Sequence, residues 1–195
     1  MHSEALPEDM SWTDLDPDSI QSYGPTDELE IVICLDTSGS MYGSMDKVRD
    51  AGLKFIENLD FSYTKVAILE FESYVHQRLG LTDKKQEIKN VLNTLNSGGG
   101  TQEPMTKAYQ LLSGHDAKRY IVVMTDGEWY GEDTALRYAE MCRQEEIEII
   151  AMGIGNGINK GFLNKLATTD AILADTQNMV QRFSSIGQAI ANNGR

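Results

Sequence analysis

The hydrophobic patterning of this chain predicts an α/β protein, doubly wound in three α/β/α layers around a mostly parallel six-stranded sheet. Three observations lead there. Short apolar runs of strand length alternate with longer stretches whose apolar residues recur every three or four positions, as a parallel sheet covered by helices requires. Two of the runs, Ile31-Val-Ile-Cys-Leu35 and Tyr120-Ile-Val-Val-Met124, are apolar without a break, which suits strands buried on both faces. Both runs then stop on carboxylates and hydroxyls, at the strand end where open α/β sheets bind their ligands.

Taken in order, the chain opens with residues 1 to 27, rich in Pro and Asp and without either periodicity, which read as an acidic N-terminal arm. Trp12, Leu15 and Ile20 interrupt the arm, and Trp12 and Leu15 can form a short docking motif. Residues 28 to 195 read as the folded domain. After the first strand, Met45, Val48, Leu53, Phe55, Ile56 and Leu59 mark a helix with Ser44 as its N-cap. Lys65 to Phe71 is a second strand, and Ser73 to Leu81 follows so closely that it must return antiparallel, as a hairpin-connected third. A helix over 83–95 presents Ile88, Val91, Leu92 and Leu95 inward. The loop Ser97-Gly-Gly-Gly-Thr101 reads as flexible, and Pro104 opens a helix that Gly114 ends. Arg119 to Met124 is the fourth strand, Thr134 to Glu145 a helix, and Glu148 to Gly153 the fifth strand. A short helix over 160–167, a sixth strand over 171–174 and a final helix over 177–191 complete the reading.

The carboxylates and hydroxyls carry the chemistry. Asp36, Ser38 and Ser40 alternate in a tight loop around Gly39, which can turn three oxygens toward one point. Thr101 adds a hydroxyl after the glycine loop, and Asp126 a carboxylate after the fourth strand. Oxygen-only donors suit a hard cation, Mg2+ or Mn2+, and the sequence has no Cys or His cluster for a softer metal. The pattern Asp36-x-Ser38-x-Ser40, then Thr101, then Asp126, resembles that of the von Willebrand factor A (vWA) family with its metal-ion-dependent adhesion site, over about residues 28 to 191. The resemblance implies a Rossmann-like vWA fold with strand order 3-2-1-4-5-6. It also implies a cation held by those five residues, with an outward position open to a partner's Asp or Glu. Met41, Tyr42, Gln102, Glu103, Glu128, Trp129 and Tyr130 lie on the same loops and are expected to form the partner-binding rim, with Trp129 and Tyr42 as its anchors.

Composition narrows the function. The net charge is −13; the first 30 residues hold nine acids and no Lys or Arg, leaving −4 for the rest. An acidic chain without a basic stripe is a poor binder of nucleic acid and of anionic membranes. There is no secretory leader pattern and no stretch of about 20 apolar residues, and only two cysteines, Cys34 and Cys142, so the expectation is a cytoplasmic protein with buried thiols. The expected role is non-enzymatic, an adaptor whose partner presents an acidic residue. By resemblance to stand-alone intracellular members, that partner belongs to a complex such as that of an ATPase, kinase or phosphatase. The rivals are a metal-independent scaffold using the acidic arm, and metal-assisted phosphate hydrolysis, for which His2, His76 and His115 lie off the site loops. A nucleotide loop at Gly153-Ile-Gly155, with Asp175 downstream, fails its glycine register at Lys160. Asp14 or Asp16 of the arm is a further candidate to fill the open position and silence the site.

Overall fold

The computed structural model describes residues 28–127, 129–155 and 158–193. The acidic arm, with Trp12, Asp14, Leu15 and Asp16, lies outside the described residues, as does Glu128.

The strands are β1 (Leu29–Asp36), β2 (Thr64–Phe71), β3 (Val75–Thr82), β4 (Lys118–Thr125), β5 (Glu148–Ile154) and β6 (Ile172–Ala174). The helices are α1 (Met45–Glu57), α2 (Lys85–Asn93), α3 (Met105–Leu112), α4 (Glu132–Gln144), α5 (Lys160–Leu166) and α6 (Met179–Asn193). The six strands form one sheet in the order β3-β2-β1-β4-β5-β6. Only β3 runs antiparallel. Every residue of β1 is buried, because β1 has neighbours on both edges and helices on both faces.

Period-two alternation along β1 divides the core. Ile31, Ile33 and Leu35 face a cluster built with Val48, Phe55 and Ile56 of α1, Ile88 of α2 and Phe183 of α6. Val32 and Cys34 face the other cluster, with Met105 of α3, Cys142 of α4 and Phe162 of α5. Both cysteines are free and buried, as small apolar residues are. Among the described residues no helix is long and apolar enough to cross a membrane.

Register places the site. Leu35 pairs with Met124 on one side and Asp36 with Phe71 on the other, so Asp36 reaches the sheet's carboxyl edge level with Thr125. The chain leaves β1 toward β2 and returns at β4 on the opposite side, and the loops part there to open a crevice. Ser44 holds the N-cap position of α1, as expected, but a 3-10 turn, Gly39–Ser44, runs directly into the helix and the Ser44 side chain makes no capping bond.

Candidate functional site

The site begins where β1 runs out of apolar residues. Asp36 is fully buried; its Oδ1 accepts from the Ser38 amide at 2.9 Å and its Oδ2 from the Thr125 hydroxyl at 2.5 Å. Thr125 accepts in turn from the indole Nε1 of Trp129 at 3.1 Å, so a three-member chain fixes which way the carboxylate faces. The Ser38 and Ser40 hydroxyls are 3.1 Å apart, and Ser40 donates to Asp126 Oδ1 at 2.8 Å. Asp36, Ser38, Ser40 and Asp126 are thereby brought into one polar group. Thr101 lies on an adjoining loop: its carbonyl accepts from the Tyr130 amide at 2.7 Å, and that loop is held against the Ser38–Ser40 loop by Gly39 N–H to Gly99 O at 2.8 Å.

The rim departs from expectation at three positions. Trp129 is only 5 % exposed and packs edge-on against Phe71 and Phe162, with ring centroids 5.4 and 5.2 Å away. Its indole orients Thr125 instead of offering an anchor. Met41 is 1 % exposed and belongs to the core over α1. Glu103 is buried and turns back on α3, accepting from the Thr106 amide at 3.1 Å and its hydroxyl at 2.5 Å, as a carboxylate does at a helix N-terminus. Tyr42, Tyr130 and Gln102 are exposed, the two tyrosines by 79 % and 77 %. Tyr74, 70 % exposed on the turn after β2, stands at the same end of the sheet and was missed by sequence reasoning. Thr125 was missed too, although a hydroxyl closing an apolar strand just before Asp126 was a usable signal.

The stretch 30–191 matches the family model for the von Willebrand factor type A domain. The chain belongs to that family. No curated protein sequence matches it. Among solved structures it is similar to proximal thread matrix protein 1 of the mussel byssus, at 16% identity and TM-score 0.73 over 84% of this chain and 46% of that one. It is similar to BatB of Bacteroides thetaiotaomicron, at 21% identity and TM-score 0.72 over 84% and 98%. It is also similar to the vWF domain of the pilus tip protein Mfa5 of Porphyromonas gingivalis, at 11% identity and TM-score 0.76 over 86% and 96%. These likenesses are of fold. The chain spans less than half of the mussel protein, which also has a form with a zinc-occupied metal-ion-dependent adhesion motif. vWA domains are generally protein-interaction modules, and they often carry a divalent metal.

In this vWA domain the electrostatics of Asp36 fit such an ion. Burial pushes its carboxyl above the usual range and outweighs the bonds from Ser38 and Thr125, and nearby Asp126 pushes the same way. No ion pair among the described residues includes Asp36 or Asp126. The described residues contain no cluster of three or more His, Cys, Asp or Glu, so any cation here relies on hydroxyls beside the two acids. That donor set is hard and weakly charged. Gly153, within β5, packs closely: a Cβ there would lie 2.7 Å from Leu163 Cδ1. Asp175 accepts from the Gln177 and Asn178 amides at 2.8 Å.

Proposed function

We propose that this vWA domain is a non-enzymatic interaction module that grips an Asp or Glu of a protein partner through Mg2+ or Mn2+. Asp36, Ser38, Ser40, Thr101 and Asp126 hold the ion. The observation that carries the reading is Asp36, a fully buried carboxylate gathered with two serine hydroxyls and a second carboxylate, and forming no ion pair among the described residues. The bound cation supplies the positive charge that the protein lacks at this point. With two carboxylates, Asp36 and Asp126, among its five proposed ligands, the ion keeps affinity for a third from outside. The zinc-occupied motif named for the mussel protein supports a divalent ion at this place in the fold.

Tyr42, Tyr74 and Tyr130 surround the site on three separate loops, and tyrosine is favoured at interface centres because it offers a large rigid face and one polar tip. Gln102 adds a flexible polar contact. Beside Tyr42, a cleft of about 510 Å³ lined also by Met45, Arg49 and Asn96 can take the partner residues that flank the carboxylate. The role is that of an adaptor within a larger complex.

The test is affinity capture on the full immobilised chain in magnesium buffer, followed by elution with EDTA, beside an Asp36→Ala resin. The reading expects a partner that is retained only by the wild-type chain and released by chelation. Partners held equally by both resins and indifferent to EDTA overturn it in favour of a metal-independent scaffold.

A further inference from the structure

The glycine loop that carries Thr101 is hydrogen-bonded on two sides. It lies between the Asp36–Ser40 loop and the turn joining β2 to β3, and is bonded to both. On the inner side, Gly98 N–H donates to Thr37 O at 2.7 Å and Gly99 O accepts from the Gly39 amide at 2.8 Å. On the outer side, Glu72 Oε2 accepts from the Gly99 amide at 3.0 Å and the Ser73 hydroxyl accepts from the Gly100 amide at 2.8 Å. The Glu72 carbonyl takes the amide of Gln102, next to Thr101, at 2.5 Å. His76, half exposed on β3, lies 3.0 Å from the other oxygen of Glu72.

This clamp explains two of the three glycines. A Cβ on Gly98 would lie 2.6 Å from Glu72 Cγ, and one on Gly99 2.5 Å from the Ser73 hydroxyl. The residues are small so that a carboxylate and a hydroxyl can reach the backbone. A triple glycine is the most mobile stretch a chain can have, so Thr101 keeps its position only if something outside the loop holds it. A carboxylate receiving backbone N–H groups is a strong holder, and the His76 bond followed by the Gly99 amide keeps Glu72 ionised, its carboxyl lowered to about 2.

We propose that Glu72, assisted by Ser73, is a positioning residue of the cation site: it holds the Gly98–Gly100 backbone so that Thr101 is in place before the ion arrives. This rests on the reading of the Asp36 site as a cation centre. The β2–β3 turn is then part of the site although it contributes no ligand. Supporting shells of this kind typically set metal affinity by about 10- to 100-fold.

The test is Mn2+ titration of the full chain by calorimetry, with thermal melting in EDTA alongside. Glu72→Ala is expected to weaken Mn2+ binding by about 10- to 100-fold, Glu72→Gln by less, because the amide oxygen still accepts from Gly99. Ser73→Ala alters no charge, so its smaller loss reports position and not long-range attraction. The deciding comparison is a double-mutant cycle with Thr101→Ala. If Glu72 acts through Thr101, adding Glu72→Ala to Thr101→Ala costs little more. Equal Mn2+ affinity in wild type, Glu72→Ala and Ser73→Ala overturns the proposal and leaves the cation reading standing, as do losses that simply add to that of Thr101→Ala. No Mn2+ uptake by the wild-type chain overturns the cation reading and the proposal together. Should Glu72→Ala fail to melt cooperatively in EDTA, Glu72→Gln and Ser73→Ala carry the same comparison.

Discussion

Asp36 and Glu145 sit at opposite ends of the sheet, and each gathers hydroxyl donors from elements far apart in sequence. Glu145, at the end of α4, accepts from the Tyr109 hydroxyl at 2.5 Å, the Ser113 hydroxyl at 2.8 Å and the Gly114 amide at 3.0 Å, and pairs with the Arg119 guanidinium at 3.3 Å. The Tyr109 bond, then those from Ser113 and Gly114, lower its carboxyl to about 2. Among the described residues Asp36 has fewer donors and no guanidinium partner, it is more deeply buried, and its carboxyl shifts the opposite way. Hydrogen bonds to hydroxyls are common to both, so they do not decide the outcome. Burial and the source of positive charge do. On the proposed reading, a carboxylate completed within the chain is structural, whereas Asp36 takes its positive charge from a bound cation.

The largest test of this contrast is Asp36→Asn. Cation uptake should fall by more than about 100-fold while stability in EDTA does not drop, because the isosteric amide removes a buried, uncompensated charge. Mn2+ titration and urea unfolding check the two halves, and a large loss of stability in EDTA would count against the contrast. Thr125→Val should come next. It deprives Asp36 of a donor and leaves the buried Trp129 N–H without its acceptor, at a cost of about 1–3 kcal/mol in urea unfolding. Ser113→Ala at the Glu145 cluster should cost less than about 1 kcal/mol, since three donors remain. The smallest expected effect is on pH dependence. Glu145 is held below its ordinary value of 4.5, so its contribution to stability is complete above that pH and disappears as pH falls toward about 2. Glu145→Gln should therefore flatten the loss of stability across that window, and an unchanged slope would mean that Arg119 and Tyr109 do not hold the anion.

The layered architecture is legible because two-faced burial leaves an unbroken apolar signature in β1 and β4, and helices of this size repeat their apolar residues regularly. Strand order follows from the resemblance, not from periodicity. At the site, residue types are legible and their directions are not. Trp129 looks like an interface anchor, yet Phe71 and Phe162, from distant parts of the chain, give it a buried place that local sequence does not announce. Glu103 reads as a rim acid until α3 offers it an amide and a hydroxyl. The glycine loop reads as flexible because composition reports what a segment can do alone, whereas Glu72 and Ser73 arrive from another element to restrain it. His76 likewise reads as remote, but through Glu72 it stands two hydrogen bonds from that loop.

The bonds that join the site loops span the chain widely: Thr125 to Asp36 bridges 89 positions and Ser40 to Asp126 bridges 86. Closing such separations is entropically costly until β1 and β4 have already paired. The polar group at the carboxyl edge is therefore expected to form only after β1 and β4 have paired, and to act mainly on the rate of opening. In stopped-flow experiments, a substitution such as Thr125→Val should shift the unfolding arm of the chevron and leave the refolding arm where it was.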